Sequence, residues 1–235
     1  MTYSIVARDP QTGHLGIAVA SRFFAVGALV PHVRSNAAVA TQAFINPMWG
    51  VEGANRLQAG EDAQQVLADF VARDPGAPQR QAHMIDTAGT IAAHTGEGCV
   101  DWAGHCSAPG VSVAGNMLAG PRVIEDTLAC FLGNPDAPFA DRLLHAMKAG
   151  EAAGGDKRGR QSAALRIHRG QDYPWLDLRT DDHPDPLAEL SRLLEVAGER
   201  YVLFAEGFGT TDNFAGVTDR SNVDRAIAAR TGRAV

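Results

Sequence analysis

Two hydroxyl side chains, Thr2 and Ser4, stand close to the start of the sequence in a run with the composition of a β-strand. Because side chains alternate faces along a strand, both hydroxyls are expected on the face opposite Tyr3 and Ile5. A hydroxyl becomes a good nucleophile when a neighbouring base accepts its proton. After removal of Met1, the free amine of Thr2, with an ordinary pKa of about 7.7–8.0, would supply that base within one residue.

Three interpretations of this segment are open from the residues alone. Thr2 and Ser4 begin a half-exposed strand without a chemical role, or Thr2 is an N-terminal nucleophile, or Ser4 is an internal nucleophile that needs no processing. A retained Met1 would turn the amine of Thr2 into an amide, which cannot act as a base. For Ser4, the sequence identifies no base.

A set of segments over about the first 200 residues is distinctive: TYSIVARDPQTG, GIAVASRFFAVGALVPHV, AVATQAFINP, WAGH, GNMLAGP, AAGGDKRGRQSAAL and DLRTDDHPDP. Together they resemble an uncharacterised bacterial family assigned to the Ntn (N-terminal nucleophile) hydrolase superfamily. The resemblance implies the four-layer αββα sandwich of proteasome subunits and related amidohydrolases. It also implies a nucleophile at the start of the first strand.

In that superfamily, a charged residue after the second strand supports the nucleophile. The segment GIAVASR resembles this second strand and would place Ser21 and Arg22 beside the candidate nucleophile. The usual acidic residue is absent, because Ala20 and Ser21 occupy the neighbourhood. Arg22 could instead orient a carboxylate or stabilise developing negative charge, while a surface ion pair is the alternative.

The glycine-rich loop GGDKRGRQS places mixed charges where a predicted helix meets a predicted strand. It is not a P-loop, because the GK[ST] ending is missing. In the superfamily sandwich the corresponding junction approaches the N-terminal residue. The resemblance therefore implies that Asp156 is a partner of the site and that Lys157 or Arg158 contacts an anion. A salt-bridged surface turn is the alternative.

Two further segments offer substrate-binding candidates. In GNMLAGP, the amides around Gly115 and Asn116 would suit an oxyanion if a helix starts there, although the glycines equally fit a turn before Pro121. The segment AVATQAF contributes Thr41 and Gln42, which would line the same cleft if that strand is central.

No metal or cofactor is predicted. The segment DLRTDDHPDP sets carboxylates beside a histidine, as some divalent-ion sites do, at Asp177, Asp181, Asp182 and His183. Acidic residues before a helix that begins with proline also cap that helix, and this interpretation is favoured. The three cysteines, Cys99, Cys106 and Cys130, fit neither a disulfide framework nor a zinc pattern.

Composition narrows the possible partners. The net charge is −6 and no basic block occurs, so a nucleic-acid partner is not expected. The sequence has no apolar run of about 20 residues and no basic-then-apolar start, so a cytoplasmic protein without a membrane partner is predicted. A homo-oligomer is expected by analogy with sandwiches of this type.

Local patterns predict the elements that would position these residues. Strands are predicted over 3–7, 15–20 and 37–44 and in QAHMIDTAGTIAAHTG, SAALRIH and LDLRT. Helices are predicted in GVEGANRLQAGEDAQQVLADFVARD (broken at Gly60), PRVIEDTLACFLG, FADRLLHAMKAGEAA and HPDPLAELSRLLEVAGER. Hairpins with helices in blocks favour an α+β fold of antiparallel sheets covered by helices. Residues 1–200 would form this domain, and the polar tail over 201–235 an extension on the domain or on a partner subunit.

The predicted function is an Ntn-type hydrolase of an amide or related acyl bond in a small molecule or peptide-like compound. Thr2 would attack with its own amine as base and Ser4 close by, while Arg22 and Asp156 hold the geometry. The alternative is a non-catalytic protein that keeps the fold and binds a small anionic ligand against Arg22, Lys157 and Arg158.

Overall fold

The computed structural model describes residues 2–232, so Met1 and its proposed removal lie outside the described residues. The strands are β1 Thr2–Arg8, β2 Leu15–Ser21, β3 Pro31–Val33, β4 Ala38–Ala43, β5 Arg80–Ile85, β6 Ile91–Thr95, β7 Gly104–Ala108, β8 Val111–Asn116, β9 Ser162–His168 and β10 Leu176–Thr180. The helices are α1 Pro47–Gln58, α2 Ala63–Arg73, α3 Arg122–Gly133, α4 Phe139–Ala152, α5 Pro186–Glu199, α6 Tyr201–Ala205 and α7 Ser221–Thr231.

The strands form two antiparallel sheets. The first has six strands in the order β10-β9-β2-β1-β8-β7, and the second has four in the order β3-β4-β5-β6. Every strand pair in both sheets is antiparallel. In this arrangement β1 is an inner strand, hydrogen-bonded to β2 on one side and to β8 on the other.

Apolar side chains hold four layers together. Helices α1 and α2 pack on the outer face of the four-stranded sheet through a cluster that includes Val39, Trp49 and Phe70. A second cluster fills part of the space between the two sheets, and α3 and α4 pack on the outer face of the six-stranded sheet. The predicted α+β fold, a four-layer αββα sandwich, is confirmed.

The β1–β2 hairpin follows from turn chemistry read directly in the sequence. Pairing runs from Thr2 opposite Ser21 to Arg8 opposite Leu15. Within the turn, the carboxylate of Asp9 accepts hydrogen bonds from nearby groups, and Gly13 adopts a φ of 72°. This turn sets the register that places Thr2 at the end of the sheet.

The predicted helix break at Gly60 is confirmed, since this residue lies between α1 and α2 with a φ of 95°. Side chains cap both helices at their N-termini. Asn46 accepts a hydrogen bond from the amide of Met48 at 3.0 Å, and Asp62 accepts from the amide of Gln64 at 2.9 Å.

No strand was predicted in the glycine-rich passage before Pro121. It folds as the hairpin of β7 and β8, turning at Gly110 with a φ of 76°, and α3 begins only at Arg122. The strand signal is weak because these strands consist largely of Gly, Ala, Ser and Cys, which have low β-propensity. Of the two alternatives for Gly115 and Asn116, the helix start is excluded, because both residues lie in β8.

Contacts divide the chain into two compact units at Leu190 and Ser191. The second unit is not merely a polar tail, because it contains α6 and α7. Within it, the rings of Tyr201 and Phe208 meet edge to face, with their centroids 6.1 Å apart. Of the helices within residues 2–232, none is both long and apolar enough to cross a membrane.

Candidate functional site

Thr2 is held at the end of the inner strand β1, where three strands meet. It pairs with Ser21 of β2 and with Asn116 of β8. Only 6% of Thr2 is exposed, and its Oγ1 lies 3.2 Å from the Oγ of Ser21. The side-chain amide of Asn116 donates to the carbonyl of Thr2 at 3.5 Å. Neighbours on both sides therefore fix this residue.

A pocket of about 260 Å³ opens beside Thr2. Of its lining residues, only Thr2 and Gln42 carry polar side chains. The others are Phe23, Val26, Leu29, Val30, Ala43, Phe44 and Ile45. Thr2 thus borders an apolar space large enough for part of a small molecule.

The loop that forms one wall of this pocket is anchored to β9. The buried hydroxyl of Ser162 donates to the carbonyl of Phe23 at 2.5 Å and accepts from the amide of Val26 at 3.1 Å. Gly27 packs so closely on β9 that an added Cβ would lie 2.4 Å from the Cβ of Ala164. The wall is therefore positioned by contacts behind it.

Backbone strain is concentrated around the same end of the molecule. Three non-glycine residues of the described chain have a positive φ: Ala25 at 53°, Ala43 at 69° and Met117 at 52°. Ala25 lies within the wall between Phe23 and Val26, Ala43 lines the pocket, and Met117 follows the Asn116 that binds Thr2. Such conformations cost about 1–3 kcal/mol each and cluster at functional sites, so their placement favours this location.

Ser4 lies on the same face of β1 but deeper, between the sheets. Its hydroxyl donates to the Oε1 of Gln42 at 2.7 Å and lies 2.8 Å from the Nε2 of His83. The single hydroxyl proton is used by Gln42, so Nε2 must donate to Ser4, and Nδ1 must accept from Ser112, 3.0 Å away. His83 in this tautomer, assigned from the hydrogen-bond network, is a donor to Ser4 and not its base.

Burial keeps His83 neutral. Desolvation, aided by the nearby His105, lowers the pKa of His83 to about 3. Both Ser4 and His83 are fully buried, at 0% exposure, which closes them to a substrate. The sequence had identified no base for Ser4, and this geometry also gives it none.

Two glutamines and an asparagine extend this network towards Thr2. Gln42 donates to Gln81 at 2.8 Å, and Asn116 donates to the same Gln81 oxygen at 2.9 Å. The amide nitrogen of Gln81 donates to the carbonyl of Gly115 at 2.8 Å. We call the buried group the inter-sheet polar cluster; its members are Ser4, Gln42, Gln81, His83, Ser112 and Asn116. Through Asn116, it is hydrogen-bonded to the backbone of Thr2.

Asp156 acts on the backbone rather than on the hydroxyls. Its buried carboxylate accepts from the amide of Arg22 at 2.7 Å and from the amide of Arg158 at 2.8 Å. Within the described part of the chain, none of its hydrogen bonds reaches Thr2 or Ser4. Asp156 therefore ties the start of the pocket wall to the glycine-rich loop, as a positioning residue.

The cationic candidates are exposed and also bind backbone oxygens. Arg22 donates to the carbonyl of Arg160 at 2.8 Å, Arg158 to that of Arg22 at 3.1 Å, and Lys157 to that of Asp101 at 2.6 Å. The expected arrangement, with both hydroxyls facing Arg22 and Asp156, differs from the observed one. Thr2 faces Ser21, and Ser4 faces the inter-sheet polar cluster.

The remaining candidates separate into two groups. Gln42 borders the pocket, while Thr41 on the alternate face of β4 donates to the carbonyl of Asn46 at 3.2 Å. Gly115 lies within β8 between two strands, so its backbone belongs to the sheet. Thr41 and Gly115 are thus not brought to the Thr2 hydroxyl.

The acidic segment before α5 is engaged in pairing and capping. Asp177 pairs with Arg166 at 3.0 Å, and Asp181 pairs with Arg179 at 2.9 Å. Asp185 accepts from the amide of Ala188 at 3.2 Å at the start of the helix. In residues 2–232, no group of three or more His, Cys, Asp or Glu side chains is arranged to hold a metal ion.

Several residues of this region escaped the sequence reasoning. Ser162 anchors the pocket wall, while His83 joins β5 to Ser4 of β1 and Gln81 joins β5 to Gly115 of β8. A usable signal existed in QAHMI, where Gln81 and His83 alternate with apolar residues and so share one strand face. Phe23 could have been identified as a pocket residue because it stands beside a second aromatic residue, Phe24, in a loop.

These features define a four-layer αββα protein with a hydroxyl-bearing pocket at the end of its inner strand. The chain belongs to a family of unknown function, DUF1028, whose model matches residues 2–190. The crystal structure of protein SPO2555 from Silicibacter pomeroyi, described by the DUF1028 family model, is similar to it. The two are 31% identical, with 93% of this chain and 99% of that chain covered and a TM-score of 0.85. No curated protein matches the chain.

Proposed function

We propose that the protein is an Ntn-type hydrolase of an amide or related acyl bond in a small molecule or peptide-like compound, with Thr2 as the nucleophile. One observation carries this proposal. Thr2 begins an inner strand, its hydroxyl lies 3.2 Å from that of Ser21, and the residue lines a pocket of about 260 Å³. Ser4, the other hydroxyl on this face, is closed off by full burial.

The proposed reaction begins once Met1 has been removed and the amine of Thr2 is free. The amine accepts the hydroxyl proton as Oγ1 adds to the substrate carbonyl carbon. The carbon–nitrogen bond then breaks, the leaving nitrogen takes up the proton held by the amine, and an ester to Thr2 remains. Water, losing a proton to the same amine, hydrolyses the ester, releases the acid and restores the Thr2 hydroxyl.

The surrounding residues support this chemistry by fixing Thr2. Ser21 sits 3.2 Å from Oγ1, where its hydroxyl can donate to the developing alkoxide or accept the Thr2 proton. Asn116 holds the carbonyl of Thr2 and is itself held by Gln81. A nucleophile positioned in this way loses little entropy on reaching its reactive geometry.

A second candidate function is a binding protein that keeps the fold without the reaction. The observation favouring it is that Asp156 and the cations Arg22 and Arg158 are engaged with the backbone of neighbouring loops. A small ligand would then occupy the pocket unchanged.

The deciding experiment is a screen of acyl p-nitroanilides and acylated amino acids against wild type, Thr2→Ser and Thr2→Ala, with intact mass reporting Met1. We expect the wild type to lack Met1 and to turn over, Thr2→Ser to retain activity, and Thr2→Ala to lose at least about 1000-fold. Thr12→Ala, in the exposed β1–β2 turn, is the matched control. Full turnover by Thr2→Ala would contradict the mechanism, and ligand binding without turnover would favour the binding protein.

The proposal also places the protein in the cytoplasm as a homo-oligomer, with no cofactor. The acidic composition, with a net charge of −6, supports the view that nucleic acid is not its partner. Light scattering coupled to size exclusion tests the assembly, and a single-chain mass would overturn that part.

A further inference from the structure

We infer that the pocket beside Thr2 is a subsite for an apolar acyl group of about eight carbon atoms. This inference rests on the proposed function, since it assigns the part of the substrate that carries the scissile carbonyl. With the acyl group in the pocket, the carbonyl would lie at the Thr2 hydroxyl, and the amine portion of the substrate would remain outside.

The lining excludes a polar occupant. Seven of its nine residues are apolar, and the polar ones are Thr2 and Gln42. The Oε1 of Gln42 accepts from Ser4, and its Nε2 donates to Gln81 and to the carbonyl of Ala114. Both hydrogens of this amide and one lone pair of its oxygen are used within the protein, so a polar group placed beside it would recover little of the hydration it loses.

The volume of the pocket sets the size of the acyl group. A water-sized unit occupies about 30 Å³ in the liquid, so 260 Å³ holds about nine such units. An acyl group with about eight carbon atoms fits this space with little void. Octanoyl and cyclohexylacetyl groups both have eight carbon atoms and differ mainly in shape, one being linear and the other cyclic.

The mouth of the pocket carries two aromatic rings that are otherwise costly to expose. Phe23 is 54% exposed and Phe44 is 73% exposed, and both line the pocket. Exposed apolar surface beside a cavity is typical of a ligand-binding site. Phe24, the next residue, is 62% exposed but does not line the pocket, so it provides a matched control.

The wall that carries Phe23 is preorganised for binding. Ser162 holds its backbone at Phe23 and Val26, and the amide of Ala25 donates to the carbonyl of Asp181 at 3.0 Å. A wall fixed before binding loses little entropy when a ligand arrives, which favours selection by size.

The first test is product binding, measured by calorimetry with acetate, butyrate, octanoate, dodecanoate and cyclohexylacetate on the full-length Thr2→Ala protein. Each methylene that enters should raise the affinity about fourfold up to eight carbons, after which the gain should stop. Leu29→Trp, which fills the pocket, should lower octanoate affinity at least about tenfold, and Phe23→Ala should lower it about fivefold. Phe24→Ala should bind within about twofold of the parent.

Equal binding of acetate and octanoate would overturn the subsite, as would octanoate binding unchanged in both Leu29→Trp and Phe23→Ala. Thermal unfolding of each variant identifies any that fails to fold. If Leu29→Trp does not fold, Phe23→Ala still tests the subsite, because Phe23 is exposed and its truncation leaves the core intact. A preference between octanoate and cyclohexylacetate shows whether the pocket is shaped for a linear or a cyclic acyl group.

The second test separates this inference from the proposed function. Wild-type turnover of acyl p-nitroanilides should rise with chain length to eight carbons, and Leu29→Trp should shift the optimum to shorter chains. Turnover without any chain-length dependence would overturn the subsite and leave the hydrolase. Octanoate binding that obeys the predictions above, without turnover of any amide, would overturn the hydrolase and leave the apolar site.

Discussion

The space between the two sheets contains two regions that are lined differently, although both are buried. One region is an apolar cluster that includes Val6, Ile17 and Ile85 and that reaches the pocket through Val26 and Val30. The other region is the inter-sheet polar cluster. Strand β1 contributes to both regions, since Val6 belongs to the first and Ser4 to the second. The two regions therefore share a strand and a degree of burial but not an energetic role.

The comparison shows where stability and positioning are separated in this fold. Apolar burial contributes about 25 cal/mol per Å² without requiring a particular geometry. A buried polar network must satisfy its donors and acceptors to be tolerated, and it then fixes the orientation of its members. The inter-sheet polar cluster also holds Thr2 in place, through Asn116.

The largest expected effect on stability comes from a substitution at the centre of the inter-sheet polar cluster. Gln81 accepts from Gln42 and Asn116 and donates to the carbonyl of Gly115. Gln81→Leu leaves these buried groups without their partner and should lower the free energy of unfolding by about 4 kcal/mol. Chemical denaturation measures this value. Gln79→Leu, at an exposed position, should change it by under about 0.5 kcal/mol, and an equally small loss at Gln81 would contradict the network.

The apolar cluster should respond with a somewhat smaller loss of stability and with little effect on the site. Ile17→Ala truncates a fully buried side chain of β2 and should lower the free energy of unfolding by about 3 kcal/mol. Turnover or ligand affinity per folded molecule should change by less than about twofold, because Ile17 itself does not line the pocket, whereas Val26 and Val30 of the same cluster do. The exposed Val51→Ala serves as the control. A large loss of turnover in folded Ile17→Ala would contradict the separate roles of the two regions.

The pH dependence of stability sharpens the comparison further. The folded-state pKa of His83, about 3, lies below its ordinary value of 6.5, so the unfolded chain binds a proton between these values and the folded chain does not. The contribution of the neutral imidazole is therefore fully present above pH 6.5 and is lost progressively as the pH falls towards 3.

His83→Asn should reduce the slope of the free energy of unfolding against pH by up to about 1.4 kcal/mol per pH unit in this window. Denaturant titrations at pH 4.5, 5.5 and 7.5 measure it. Burial also lowers the pKa of His32, His105 and His168, so part of the slope should persist in the variant. Identical slopes for the two proteins would rule out a neutral His83 in the folded state.

The smallest expected effect concerns the strained backbone beside the pocket. Ala43 has a φ of 69°, which costs an L-residue about 1–2 kcal/mol and costs glycine almost nothing. Ala43→Gly should therefore stabilise the protein slightly, by about 0.5 kcal/mol, after the higher entropy of the unfolded glycine is counted. Ala40→Gly, in the regular part of the same strand, should destabilise it by about 1 kcal/mol. Equal losses at both positions would contradict the strain.

Local signals made much of the fold predictable. The turn at Gly13 and the helix break at Gly60 follow from short-range chemistry that a sequence displays directly. The β7–β8 hairpin was not predicted, because its small residues lack the apolar alternation that marks a strand.

The candidate site was harder to predict because its contacts are distant in sequence. Ser4 meets Gln42 and His83 only after two sheets have stacked, and no local pattern encodes that stacking. Asp156 was expected beside the Thr2 hydroxyl, yet it binds the backbone of Arg22. The sequence identified a charged group near the site but did not indicate which atoms it would bind.

Gly27 has a consequence for how this pocket could change its preference during evolution. An added methyl group there would collide with Ala164 on β9 and approach the side chain of Arg179, so a larger residue at position 27 or 164 requires the turn and β9 to separate. The same turn carries Val26 and Leu29, which line the pocket. Substitutions in a neighbouring strand can therefore change the shape of the pocket while every residue that lines it stays the same.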